Sequence, residues 1–315
     1  MQPARVSVDG RILPAEGPHL SAWDRAFQLG DGVFETLRAR AGRVVELAAH
    51  IERLQHSMAA LEIPVPADLG TRLGTDIDRL LDVVGLAGPD GDAAIRITVS
   101  RGVSPSRGVL PPAGLVPTIV IQAWPVEPPP AGYLADGLRL IVSSIRRDPD
   151  HPLVRIKSTS RADAVIARLE ARRAGADDAV FLTIDGYLSE STSANLFLVR
   201  DGVLATPDLR CAILPGTTRS WLLGWAAGAG LRPVEDFLTT RDLVEADEAF
   251  LTSSVAGVLP VARFEDRAIG LGRPGPWSAR ARADREACFV GSVDVEPSGA
   301  RRDRWPGPPG RQARS

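Results

Sequence analysis

A single lysine, Lys157, stands among 37 basic residues, and every other one is arginine. Arginine does the ordinary surface work of this chain, and position 157 is where that exchange was not made. A guanidinium stays charged at any physiological pH, whereas a buried lysine can shed its proton and condense with a carbonyl as a Schiff base. Lys157 is therefore the first candidate nucleophile; the alternative is one solvated charge surviving in an arginine-rich composition.

Downstream residues offer what an anionic, electron-withdrawing partner of such an amine needs. Gly216-Thr217-Thr218 opens an apolar helical run, so free backbone N–H groups, the helix dipole and two hydroxyls could receive a phosphate. The same residues also suit an ordinary N-cap. Ser253-Ser254 carries the same two readings. Glu190 lies in the polar stretch Gly186 to Asn195, where a carboxylate either holds a proton on a pyridine nitrogen or sits as a solvated loop acid. Asp177, Asp178 and Asp247 read as solvated or capping charges. Cys211 and Cys288 form no close-spaced pair, and His19, His50, His56 and His151 complete no metal signature, so no metal site is expected.

The elements that must position these groups follow from periodicity. Val6 to Leu13 alternates around Asp9-Gly10 and predicts a hairpin; Val33 to Leu47 predicts a second, turning at Ala41-Gly42. Helical spacing of Ile51, Leu54, Met58 and Leu61 places Arg53 on the polar edge of a helix over 48–61, and a further amphipathic helix spans 67–86. Strands are expected at 94–100 and 118–124, flanking a Gly/Pro-rich loop that holds Arg101 and Arg107. The proline run at 126–132 reads as a linker. Beyond it come a strand at 138–144, a helix at 160–174, short strands at 179–184 and 195–199, a helix at 220–229 and a strand-like unit at 248–251. Domains are thus expected at 1–125 and 133–290, with a disordered tail over 291–315 that is rich in Pro, Gly and Arg.

Composition narrows the class. The chain has 315 residues, 44% of them hydrophobic, enough for two domains with their own cores. A formal charge of -2 gives no global field for nucleic acid or an anionic membrane, which points to a small-molecule partner. No apolar run reaches transmembrane length, and the first ten residues lack the order of a signal peptide, so a cytoplasmic location is expected.

The order His50-x-x-Arg53-Leu54, Lys157, Gly186-x-x-x-Glu190-x-x-x-x-Asn195, Leu214-x-Gly216-x-Thr218-Arg219 and Ser253-Ser254 resembles the class IV aminotransferases from about Val6 to Val261. These are fold type IV pyridoxal phosphate enzymes, among them branched-chain and D-amino acid aminotransferases and 4-amino-4-deoxychorismate lyase. The resemblance implies an α+β, two-domain fold with a small N-terminal α/β domain and a larger β-rich C-terminal domain, closing on pyridoxal 5'-phosphate near a homodimer interface. It implies that Lys157 holds the cofactor as a Schiff base and that Glu190 faces the pyridine nitrogen. Arg53, Gly216, Thr217, Thr218, Ser253 and Ser254 would bind the phosphate, and Leu214 would pack on the ring. Phe34, Arg101, Arg107 and Val255 would line the substrate side. One departure stands out: Ser158-Thr159-Ser160-Arg161 follows the lysine where relatives often carry a ring-supporting side chain.

The implied reaction is transamination between an amino acid and a 2-keto acid, with release of pyruvate and p-aminobenzoate by a lyase as the alternative. The segment Asp24 to Thr36 and the arginine loop look closer to the D-amino acid and lyase branches. A cofactor-free Schiff-base aldolase is a remote third reading; it predicts a repeated strand-helix barrel that the element order does not supply.

Overall fold

The computed structural model describes residues 4–106 and 108–290, so Arg107 and the tail expected to be disordered, 291–315, lie outside the described residues. The first sheet contains β1 (Arg5–Val8), β2 (Arg11–Pro14), β3 (Gly32–Arg40), β4 (Arg43–Val44), β5 (Asp92–Ser100) and β6 (Thr118–Pro125). Its strand order is β2-β1-β6-β5-β3-β4, and every pairing is antiparallel. Asp9 and Gly10, and likewise Ala41 and Gly42, take positive φ at the two hairpin tips. That is the turn twist compatible with the flanking strands, and it fixes both registers.

Alternation along β3 and β5 divides the labour of the sheet. Val33, Leu37, Ile95, Ile97 and Val99 face a core completed by Leu54 and Met58 of α2 (Leu47–Ala60) and by Leu69, Leu73, Ile77 and Leu80 of α3 (Leu69–Val83). Phe34, Arg38 and Arg96 fall at the alternate positions, on the opposite face. A short helix α1 (Arg25–Leu29) precedes β3, capped by Asp24, whose side chain accepts from Ala26 N–H.

The chain then runs through the proline segment and α4 (Ala131–Ala135) into a nine-stranded sheet. Its strands are β7 (Leu138–Arg147), β8 (Asp178–Thr183), β9 (Leu188–Ser191), β10 (Asn195–Arg200), β11 (Val203–Pro207), β12 (Arg232–Asp236), β13 (Glu248–Ser253), β14 (Gly257–Phe264) and β15 (Arg267–Ala268). The order is β12-β11-β10-β13-β14-β7-β8-β9, with β15 on β14; β7 runs parallel to both its neighbours. Helix α5 (Ala162–Arg173) covers β7 and β8 through Ala167 and Ala171, small residues that let it sit close to Ile141 and Phe181. Helices α6 (Thr217–Ala229) and α8 (Pro276–Val290) pack Trp221, Leu222, Ala226 and Ala281 against Phe197, Phe250 and Val258. Between them the short α7 (Thr240–Val244) opens with a capping box between Thr239 and Asp242.

Two details go beyond the sequence reading. Leu153 and Ile156, from beyond the linker, pack into the core of the first sheet. Asp178 is not a solvated charge: it is buried at the start of β8, where its carboxylate accepts from Thr192 Oγ1 and Ala179 N–H and pairs with Arg168. No helix among the described residues is long and apolar enough to cross a membrane, and no cluster of His, Cys, Asp and Glu there could hold a metal ion.

Candidate active site

Lys157 follows a single 3-10 turn, Pro152–Arg155, and is held by the small domain's sheet rather than by a helix. Phe34 N–H donates to its carbonyl at 2.9 Å, Thr159 N–H donates to Gly32 O at 2.9 Å, and Ser158 bridges Val33. The loop is in effect a short extra strand on β3. The Lys157 Nζ lies 4.9 Å from the centre of the Phe34 ring. Burial, followed by the positive charge of Arg53, pushes its pKa down to about 8, although Glu35 and Glu190 act in the opposite direction. The half-buried amine thus lies among charged side chains that keep it partly deprotonated, as a carbonyl-capturing lysine requires.

Arg53 and His50 stand three residues apart on α2, on one helical face. Both reach the fully buried Glu35 of β3. Arg53 grips that carboxylate with Nε at 2.7 Å and a terminal nitrogen at 2.6 Å, and its other terminal nitrogen donates to Pro215 O at 2.9 Å. His50 Nδ1 lies 2.7 Å from the same carboxylate. Burial alone would raise Glu35, but Arg53 and then His50 outweigh it and hold the carboxyl far below the usual range. Burial lowers the pKa of His50, against the pull of Glu35, and its Nε2 lies 3.3 Å from the Thr217 hydroxyl.

Thr217 opens α6, and its hydroxyl also lies 3.3 Å from Ser254 Oγ. The N-cap of α6, Gly216, contributes no side-chain capping bond, and Thr218 Oγ1 is buried without a partner. An uncapped helix N-terminus, two convergent hydroxyls, an orphaned third hydroxyl and Arg53 fit a phosphate group. Ser253 does something else: its Oγ accepts from Ala256 N–H and closes the turn that presents Ser254.

Glu190, on β9, is held at both oxygens. Arg147 donates to Oε1 at 2.7 Å; Asn195 Nδ2 and Leu214 N–H donate to Oε2, each at 3.1 Å. Asn195 also donates to Leu214 O at 2.9 Å, so Leu214 enters the site through its backbone. Gly216 is required here for space: a Cβ at that position would meet Asn195 Oδ1 at 2.1 Å.

The substrate side differs from expectation. Arg101 is not available to a ligand: its guanidinium takes Asp31 by two bonds, at 2.8 and 3.0 Å, and donates to the carbonyls of Glu62 and Leu61. Sequence alone could not separate this structural arginine from a binding one. Arg96, by contrast, has its guanidinium carbon 3.8 Å above the centre of the Phe34 ring. No carboxylate pairs with it among the described residues, and burial together with Arg161 lowers its pKa. Phe34 and Arg96 share a face through strand alternation, a signal readable in the sequence once β3 and β5 are paired. Val255 contributes a carbonyl to Arg38, at 3.3 Å. The polar run after Lys157 is occupied with structural bonds: Ser158 Oγ accepts from Ser160 N–H within the loop, Thr159 Oγ1 donates to Gly30 O, and Arg161 donates to Thr192 O. Glu35, Arg147, Arg96 and the role of His50 escape the sequence reading. Only the His-x-x-Arg spacing and the strand alternation could have revealed any of them.

The comparisons with known proteins agree with this geometry. The family described as amino-transferase class IV matches residues 32–264. A Methanocaldococcus jannaschii protein assigned as a branched-chain-amino-acid aminotransferase is 36% identical over 84% of this chain and 89% of its own. The aminodeoxychorismate lyase of Vibrio harveyi is 34% identical over 78% of this chain and 87% of its own. Among solved structures, the branched-chain amino acid aminotransferase from Escherichia coli superposes with a TM-score of 0.84 at 27% identity, covering 93% of this chain and 97% of that one. An isolated lysine, a phosphate-fitting helix start and a buttressed carboxylate thus occur in a chain that belongs to the class IV aminotransferase family.

Proposed function

We propose that the protein is a pyridoxal 5'-phosphate-dependent transaminase of amino acids, with Lys157 as both cofactor anchor and proton carrier. The observation that carries this reading is the Lys157 amine, lowered to about 8 and set among Phe34, Arg53 and Glu190. When bound, the cofactor supplies an aldehyde for that amine and an electron-poor ring that stabilises negative charge at the substrate α-carbon. Thr217, Thr218, Ser254 and the start of α6 would hold its phosphate, with Arg53 beside them. Glu190 would accept the ring N–H, kept in place by Arg147 and Asn195. Lys157 Nζ would take the proton from the substrate α-carbon and deliver it to the carbon that the cofactor's aldehyde supplies, the transfer that distinguishes transamination from racemisation.

Arg96, which lies over Phe34 under the influence of Arg161 and pairs with no carboxylate among the described residues, suits a carboxylate ligand, which a guanidinium can bind bidentately. We therefore favour acidic amino donors or keto acceptors. Offering L-glutamate, D-alanine, L-leucine and aminodeoxychorismate separately, while measuring keto acid and p-aminobenzoate, tests this. Keto acid formed from an amino acid with net amino transfer is expected. Release of p-aminobenzoate without amino transfer would instead make the protein a lyase, the reading that the Vibrio harveyi relative favours.

The same proposal divides the chain at 126–132, between domains 1–125 and 133–290. Separate cores on the two sheets support that division. It also takes the enzyme to be a cytoplasmic homodimer. In support of the dimer, Arg25 ties the loop at Gly108 and Val109 to α1, and Phe27 (80%) on that helix and Val109 (82%) and Leu110 (85%) on that loop are exposed apolar side chains.

A further inference from the structure

Helix α8 lies outside every motif read from the sequence, yet it touches both halves of the phosphate cup. From the large domain's side, Arg282 donates to Ala256 O at 3.1 Å and Val258 O at 2.9 Å, fixing the turn that presents Ser254. Glu286 pairs with Arg38 at 2.9 Å, and Arg38 in turn donates to Val255 O in that turn. From the small domain's side, Arg285 donates to Glu46, the residue just before α2, in a two-bond fork at 2.8 and 2.9 Å. The Arg285 side chain is 2% exposed and lies against Trp221 of α6 and Phe289.

Glu46 occupies the N-cap position of α2 in the left-handed conformation, φ 54°, and makes no capping bond. A carboxylate at a helix start would normally stabilise that end by binding its N–H groups; here it is turned onto Arg285 instead. Burial alone would raise its pKa, but Arg285, followed by His50 and the Thr217 hydroxyl, holds it below the ordinary value, so a negative charge sits beside the cup. An incoming phosphate would meet that charge. The other two carboxylates of the site are each matched by an arginine of their own, Glu35 by Arg53 and Glu190 by Arg147. Arg285 completes the set.

We propose that Arg285 is a positioning residue for the phosphate cup: by neutralising Glu46 it prevents that carboxylate from repelling a phosphate. This rests on reading the cup as a cofactor-phosphate site. The alternative is a bridge that only joins the two domains, and the two differ in selectivity. A bridge stabilises the pocket for any ligand, whereas a neutralised Glu46 matters only to a ligand that carries the phosphate.

The test is equilibrium binding of pyridoxal 5'-phosphate and of phosphate-free pyridoxal to the full-length apo chain, in the wild type, Arg285→Met, Glu46→Gln and the double variant. In Arg285→Met the preference for the phosphorylated form should fall about tenfold with pyridoxal affinity unchanged, and adding Glu46→Gln should restore most of it. An unchanged preference, an equal weakening of both ligands, or no recovery in the double variant overturns the proposal. If Arg285→Met does not fold, Glu46→Gln alone decides: it should match or exceed the wild-type preference, and a fall below it overturns the proposal. A wild type that does not prefer the phosphorylated form would instead refute the reading of the cup itself.

Discussion

Lys157 is the one residue whose titration the proposed chemistry requires. Being the sole lysine, it can be followed without interference from other side-chain amines. Its modification by a small aldehyde, mapped by mass spectrometry to the peptide containing residue 157, should rise with pH through about 8 and vanish in Lys157→Arg. Folding lowers this pKa from 10.5 to about 8, so between those values the unfolded chain holds more protons. Stability should therefore increase as pH climbs across that window, and the increase should disappear in Lys157→Met when unfolding is followed by denaturant titration. Glu35 is the opposite case, a carboxylate that stays ionised. Replacing it with leucine strands the buried Arg53 guanidinium, and a loss of about 3–5 kcal/mol is expected from the same titration. Lys157 was legible because its residue type was conspicuous. Glu35 was not, since nothing in the order Val33-Phe34-Glu35 says that a carboxylate on a core-facing strand position will meet an arginine from α2.

At the level of elements, the site depends on how β9, β10 and the start of α6 approach one another. Asn195 on β10 donates to Glu190 on β9 and to Leu214 ahead of α6, and it fits only because residue 216 has no side chain. Gly216→Ala, at a φ of -75° that alanine tolerates, should displace the Asn195 amide and loosen Glu190. Losing a hydrogen bond to a charged group predicts a destabilisation of about 1.5–3 kcal/mol by thermal or denaturant unfolding. Hairpin tips, both long helices of the small domain and most strands were readable from periodicity and turn residues, because local sequence decides them. Helix α8 was not. Its segment Ser278-Ala279-Arg280-Ala281-Arg282-Ala283 carries no wide apolar stripe, and its burial rests on Ala281, Trp277 and arginine stems packed on the large sheet. Arg147 was equally hidden, since a strand-end arginine gives no sign that the chain will return 43 residues later to set Glu190 against it.

For the whole molecule, the exposed apolar side chains on α1 and on the loop tied to it predict self-association. Light scattering should give about twice the mass of one 33.5 kDa chain, and Phe27→Glu combined with Leu110→Glu should shift that mass toward one chain. A wild type that remains a single chain at micromolar concentration would remove these side chains as an interface.

The packing of Leu153 and Ile156 into the first sheet's core also bears on how the protein is made. A ribosome delivers residues in order, at about 5–20 per second. The first sheet's core therefore stays open at one edge until residue 156 has emerged, and Lys157 arrives one position after the residue that seals it. The helix that carries Arg285, the partner of Glu46, follows more than a hundred residues later. A nascent chain can therefore join Glu46 to its arginine only well after the segment around Lys157 has been made.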